Sequence, residues 1–245
     1  MTYCVAIKVE RGVVFASDSR TNAGVDYVRT YSKMHKFVWP GEAAFVLLTS
    51  GNLATTQAVA NHLRRDLEDP GANVSLRKVK HLFDAAEYVG DLSRREQERH
   101  GKALRESGLG GGGTFILGGQ RSGQEPEIFL IYPEGNYISA SPETPYLQIG
   151  ETKYGKPILD RVLSSTTTLA DAARCALVSL DSSMRSNISV GPPLELAIYE
   201  RDSVKEPRYM TFDLSSPYYK TLQKSWGDGL RRAFQRLPRF DWEEH

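Results

Sequence analysis

A threonine directly behind the initiator methionine is the residue in this 245-residue chain whose type and place together allow nucleophilic chemistry. Once Met1 is removed, Thr2 carries a hydroxyl and its own base, the α-amine. With a reference pKa of about 7.7–8.0, that amine is partly unprotonated near neutral pH. A threonine hydroxyl paired with a terminal amine is an activated nucleophile able to attack an acyl carbon. A next side chain as small as threonine permits loss of the methionine. Ordinary chains also begin Met-Thr, so the chemistry depends on what the rest of the sequence places around Thr2.

Other chemistries find less support. Cys4 and Cys175 are the only cysteines, and no closely spaced Cys/His cluster surrounds either. A disulfide scaffold or structural zinc is therefore not expected, no metal or cofactor is called for, and both cysteines read as small buried apolar residues. The run Gly108-Leu-Gly-Gly-Gly-Gly113 matches the glycine spacing of a dinucleotide site but has the wrong context. A helical pattern precedes it and a strand pattern follows, whereas a phosphate needs the strand first and the helix N-terminus after. It reads instead as a flexible or close-packed backbone crossing. The balance of 31 basic and 30 acidic residues, net +1, does not favour nucleic acid as a partner. No secretory or membrane-length apolar run occurs, so the expectation is a cytoplasmic chain with no membrane partner.

The elements that must position Thr2 follow from periodicity. Tyr3, Val5, Ile7 and Val9 alternate with smaller or polar residues, and a turn at residues 10–12 leads to a second strand over 13–17. Strands over 36–39 and 43–49 flank Pro40-Gly41. Val59, Leu63 and Leu67 then share a helical face that ends at Pro70-Gly71, and Leu76, Val79, Leu82, Phe83, Ala86 and Val89 predict a second helix running into the charged stretch 94–100. Strands over 114–117, 127–132, 137–139 and 146–149, helices over 152–163 and 169–184, and strands over 194–200 and 208–213 complete the order. Strands, two helices, strands, two helices, strands: this grouping suits two antiparallel sheets stacked face to face with helices outside each, an α+β fold.

Within that order several segments carry a resemblance. Gly12-Val-Val-Phe-Ala-Ser-Asp-Ser-Arg20 resembles the second strand of proteasome β subunits, and Ser50-Gly-Asn-Leu-Ala-Thr-Thr-Gln-Ala-Val59 the turn and helix start after their active-site strand. Ser32-Lys-Met-His-Lys-Phe37 is similar to their lysine-bearing strand, with Lys33 one residue early, as a one-residue deletion in the preceding loop would produce. Phe129-Leu-Ile-Tyr-Pro-Glu-Gly-Asn-Tyr137 and Gln148-Ile-Gly-Glu-Thr-Lys-Tyr-Gly155 resemble the later strand-turn-strand and glycine turn. Over residues 2–200 the chain resembles the N-terminal nucleophile hydrolases, within them the bacterial proteasome-like branch. The step from Asp181 to Ser186 and Asn187 has a spacing like that of the bacterial HslV peptidases. A four-layer αββα sandwich over residues 1–214 is implied, followed by a helical tail over 215–245.

The resemblance also implies roles. Thr2 is the nucleophile, Lys33 the cation beside it, Asp18 the carboxylate holding that lysine, and Gly51 the backbone oxyanion donor. Asp181 and Ser186 would support the Thr2 amine from the far side, while Asn22 and Thr49 would line the substrate pocket. Glu151 departs from the family, where serine is usual; it would bond the amine or cap the following helix, and the cap is the preferred reading. The implied function is threonine-type cleavage of peptide bonds in peptide or protein substrates within a homo-oligomer, a ring or open spiral, with an ATPase partner left open. Two alternatives remain: a self-assembling scaffold with a weak or silent site, and an amidase or transpeptidase acting on a small peptide-like substrate. In the tail, Leu222, Trp226, Leu230 and Phe234 form an apolar stripe beside Arg231, Arg232, Arg236 and Arg239, suited to docking on its own domain or on a neighbouring subunit.

Overall fold

The alternating start of the chain becomes β1 (Tyr3–Val9), which turns tightly into β2 (Gly12–Asp18). This computed structural model describes residues 2–22, 28–106 and 110–244, except for the side chains of residues 22, 28, 102, 104, 105 and 244. A short hairpin of β3 (Arg20–Asn22) and β4 (Val28–Thr30) follows, which periodicity did not reveal because each strand has only three residues. Then come β5 (Met34–Trp39), β6 (Ala43–Gly51), α1 (Leu53–Glu68) and α2 (Leu82–Glu106). The second half runs β7 (Gly113–Arg121), β8 (Glu127–Ile131), β9 (Tyr137–Ser139), β10 (Tyr146–Gly150), α3 (Thr152–Val162), α4 (Leu169–Ser186), β11 (Leu194–Glu200), β12 (Arg208–Phe212) and α5 (Pro217–Gln235).

Two antiparallel five-stranded sheets result, ordered β10-β1-β2-β11-β12 and β5-β6-β7-β8-β9. The inner strands β1, β2, β6, β7 and β11 are buried on both faces, so they carry long apolar runs and their alternation sorts side chains between two cores. In β1, Tyr3, Val5 and Ile7 pack under α3 and α4. Cys4 and Ala6, with Phe15 of β2, face the opposite sheet, where Val46, Leu48 and Ile116 meet them. In β6, Phe45 and Leu47 pack under α1 and α2. The molecule is thus helices, sheet, sheet, helices, the four-layer α+β sandwich expected. No helix is long and apolar enough to cross a membrane among the described residues.

Two helix boundaries differ from the sequence expectation. Leu76 and Val79 are buried but precede α2, in a turn region where the amides of Lys78 and Val79 donate to the Ser75 carbonyl. The helical spacing of these residues arises because the turn presents the same face as the helix it leads to. At its other end α2 continues to Glu106, beyond the charged stretch.

The tail is also divided. Tyr219 is buried and Leu222 packs against the core under α3 and α4. Farther along α5, Leu230 and Phe234 are 51% and 74% exposed. Its first half docks on its own domain, and its second half leaves an apolar face in solvent.

Candidate active site

β1 and β10 end side by side at the open edge of the gap between the sheets. There Thr2, Lys33, Thr49, Gly51 and Glu151 line one cavity of about 480 Å³, together with Thr21, Ser50, Leu53, Thr56 and Gly150. Thr2 is 8% exposed. A larger hollow of about 790 Å³ lies between α3, α4 and α5, lined mainly by Ile158, Val162, Val178, Leu222 and Trp226. Its polar lining offers no activated nucleophile, because burial holds the Cys175 thiol protonated and Asp171 and Arg174 are paired with each other, so chemistry rather than size identifies the smaller cavity as the candidate site.

Strand ends hold the cation. Lys33 Nζ donates to Asp18 Oδ1 at 2.6 Å and to the Arg20 carbonyl at 2.7 Å, leaving its third N–H for the cavity. Asp18, at the end of β2, also accepts from the Tyr3 amide at 3.0 Å and the Gly191 amide at 3.1 Å. Burial pushes the Asp18 carboxyl above the usual carboxylate range, and the Lys33 ammonium and the two amides pull against it. Lys33 and Asp18 are 4% and 0% exposed; a charged pair so deeply placed persists only when its remaining bonds are made. Here they are made largely by backbone groups.

A second buried carboxylate, which the sequence alone did not single out, braces the residues carrying Lys33. Glu195 in β11 accepts from Ser17 Oγ at 3.3 Å, Ser32 Oγ at 2.8 Å, the Lys33 amide at 3.3 Å and the Tyr209 hydroxyl at 2.6 Å. The one local signal was a glutamate inside an otherwise apolar strand, Leu194-Glu-Leu-Ala-Ile198. The Thr49 amide donates to the Lys33 carbonyl at 2.9 Å, joining the same turn to β6.

Gly51 ends β6 at φ +103°, and a Cβ there would come within 2.4 Å of the Gly112 oxygen. Only glycine fits this crossing. The carbonyls of the described part of the glycine run are engaged: Gly112 by the Asn52 amide, Gly111 by Thr55 Oγ1 and Gly110 by Asn52 Nδ2. Gly108 lies outside the described residues. Gly112 and Gly113 form a close-packed crossing, Gly110 has open space where a Cβ would stand, and Asn52 caps α1 beside them.

The remaining candidates separate. Asp181 and Ser186 line a different hollow, with Arg20, Arg185, Ile188 and Gln223, and neither lines the Thr2 cavity. The Asp181 carboxylate is taken by Tyr219, Gln223 and, at 2.9 Å, Arg185, so it ties α5 to α4. Asn22 ends β3, and its side chain, like Met1, lies outside the described residues. Glu151 is the residue before α3 but makes no side-chain bond to that helix, which corrects the cap reading. Thr21 Oγ1 is buried without a partner among the described residues. Ser50, Thr21 and Gly150 each adjoin or nearly adjoin a residue the sequence had marked, and that adjacency was the available signal.

Burial pushes the Cys4 thiol well above its usual range and the Cys175 thiol up to about 12. Both are neutral packing residues, so the hydroxyl of Thr2 faces no competing thiolate. Among the described residues no cluster of His, Cys, Asp and Glu is placed to hold a metal ion.

Residues 2–199 match the family described as Proteasome subunit. Among solved structures, Anbu (ancestral beta-subunit) from Yersinia bercovieri is 44% identical with a TM-score of 0.92, covering 98% of this chain and 99% of that one. The helical assembly of the Anbu complex from Pseudomonas aeruginosa gives 44% identity and a TM-score of 0.92, with 98% of each chain covered. Anbu from Hyphomicrobium sp. strain MC1 gives 45% and 0.88, covering 98% of this chain and all of that one. No curated protein gives a match.

Proposed function

This chain belongs to the proteasome subunit family, and from that premise we propose that it is an N-terminal threonine hydrolase cleaving peptide bonds within a homo-oligomeric assembly. The observation that carries the reading is the convergence of Thr2, Lys33 and Gly51 on one cavity, with Lys33 held by Asp18 behind it. Removal of Met1 frees the α-amine. Thr2 Oγ attacks the substrate carbonyl as its proton passes to that amine, directly or through a water, and the amine later returns the proton to the leaving amine. Lys33 acts as a fixed cation that favours the alkoxide of Thr2. The Gly51 amide serves the developing oxyanion, and losing one such donor typically lowers the rate about 10²- to 10³-fold. Thr21, Thr49, Ser50 and Thr56 give the cavity a hydroxyl-rich lining, suited to an extended peptide with a modest, hydrogen-bonding side chain.

The homo-oligomer is proposed on two grounds. A relative of 44% identity is recorded as a helical assembly, and the second half of α5 and the bend that follows it offer Leu230, Phe234 and Leu237 to solvent, an apolar face suited to a second copy. Intact mass and an electrophile selective for N-terminal threonine test the chemistry. The expected result is a chain lacking Met1 that takes one label at Thr2 and none in Thr2→Ala. Equal labelling of Thr2→Ala would remove Thr2 as the nucleophile.

A further inference from the structure

Glu151 stands at the N-terminus of α3, where a carboxylate ordinarily turns toward the free N–H groups of the first turn. It does not do so, and the Glu151 side chain has no hydrogen-bond or ion-pair partner among the described residues. Strand register shows where it lies instead. β1 and β10 pair Tyr3 with Gly150, and the ladder continues one step, because the Glu151 amide donates to the Thr2 carbonyl at 2.7 Å. Thr2 and Glu151 are therefore directly opposed, and such residues place their Cβ atoms about 5 Å apart on the same face.

The sorting of β10 between the two cores agrees. Leu147 and Ile149 face the gap between the sheets with Cys4 and Ala6, while Tyr146 faces the helices with Tyr3 and Val5. Glu151 and Thr2 continue the first set and both line the cavity. Gly150, at φ +85°, lets them close up, since a Cβ there would come within 1.9 Å of the Thr2 oxygen. The charged groups around Thr2 come from three elements: Asp18 from the end of β2, Lys33 from the segment before β5, and Glu151 from the junction of β10 and α3. Asp18 and Lys33 compensate each other at 2.6 Å, so the charge of Glu151 is left over.

Building on the reading of Thr2 as an N-terminal nucleophile, we propose that Glu151 is a positioning residue that pairs with the freed Thr2 amine and holds it as an ammonium at neutral pH. The site is thereby kept latent until the pH rises. Only the unprotonated amine can accept the Thr2 Oγ proton, so Glu151 opposes the base in the resting enzyme. An opposite charge at this range favours the ammonium, while Lys33 disfavours it. The net result is a Thr2 amine that loses its proton about one pH unit later than it would without Glu151.

The test uses chains beginning at Thr2, as wild type, E151Q and E151D. The amine is titrated by its rate of acetylation with acetic anhydride across about pH 6 to 10, read at the Thr2 peptide by mass spectrometry. Acylation of Thr2 Oγ by a peptide β-lactone, whose ring C–O bond opens as the ester to Oγ forms, is followed over the same range. The expected result is a titration about one unit lower in E151Q than in wild type, with up to about tenfold faster acylation at neutral pH, and E151D close to wild type. Coincident amine titrations in wild type and E151Q overturn the proposal. So does an E151Q effect confined to the KM of substrates bearing a basic group, which would give the carboxylate to substrate recognition. Absence of Thr2 acylation in all three chains removes the nucleophile, while the amine titration still decides the pairing with Glu151 by itself.

Discussion

Asp18 and Asp181 are both buried carboxylates with a basic neighbour, and both come from segments that resemble functional parts of proteasome subunits, yet they do different things. Asp18 receives Lys33 and two backbone amides at the end of β2, close to the nucleophile. Its donors come from the start of β1 and from the segments leading into β5 and β11, so the charge it stabilises is presented in one place. Asp181 receives Tyr219, Gln223 and Arg185 from α5 and α4. Burial, with the Asp181 charge adding to it, raises the Tyr219 phenol above its usual range, so the tyrosine remains a hydrogen-bond donor to that carboxylate. One aspartate organises a cation for chemistry and the other fastens a helix. Residue type and burial do not separate these roles; the origin of the donors does.

The largest effect expected from breaking this contrast is at Lys33. Lys33→Ala leaves Asp18 buried and uncompensated, which should lower the unfolding free energy by about 3–5 kcal/mol. Acylation of Thr2 should fall by at least about 100-fold, measured beside denaturant unfolding on the same sample. Glu195→Ala comes next, because it strips the acceptor from Ser17, Ser32, Tyr209 and the Lys33 amide. A loss of about 2–3 kcal/mol is expected, with slower acylation as the lysine turn loosens. An unchanged acylation rate would show that Glu195 serves stability alone.

Asp181→Asn sharpens the contrast from the other side. It should destabilise by about 1–2 kcal/mol and raise hydrogen exchange in α5, while acylation of Thr2 per folded molecule stays within about twofold of wild type. A fall comparable to that of Lys33→Ala would place Asp181 with the catalytic set after all. Combined Leu230→Ser and Phe234→Ser should alter thermal stability of the isolated subunit by less than about 0.5 kcal/mol, since both side chains are largely in solvent. Sedimentation should nevertheless show smaller assemblies. The smallest effect is expected at Thr21→Val, which exchanges an unpartnered buried hydroxyl for a methyl. Stability should hold or rise by up to about 1 kcal/mol, and a clear loss would mean that the hydroxyl has a bridging water.

Much of the architecture was legible in the chain because strands and helices buried on fixed faces repeat with periods of two and 3.6. Tyr3, Val5 and Ile7 against Cys4 and Ala6 already divided β1 between two cores. The hairpin of β3 and β4 was not legible, since three residues contain too little alternation to count. Nor was the start of α2, where Leu76 and Val79 share the helix's apolar face from within a turn. For the site, Thr2, Lys33, Thr49, Gly51 and Glu151 were all marked from the sequence and line the same cavity, while Asp181 and Ser186 were marked and lie elsewhere.

What the sequence determined by itself was local: the nucleophile's place at the start of a strand, the element order that stacks two sheets, and the glycine that alone fits the crossing beside Gly112. These depend on residue type and near neighbours. The tertiary structure decided which buried carboxylate faces the chemistry. Glu195 meets Ser32 and Lys33 across more than 160 residues, Asp181 turns to α5, and Glu151 leaves its helix to stand opposite Thr2. The physical reason is that a carboxylate takes whichever donors packing brings within about 3 Å. Strand register and helix docking, which join distant parts of the chain, determine which donors those are.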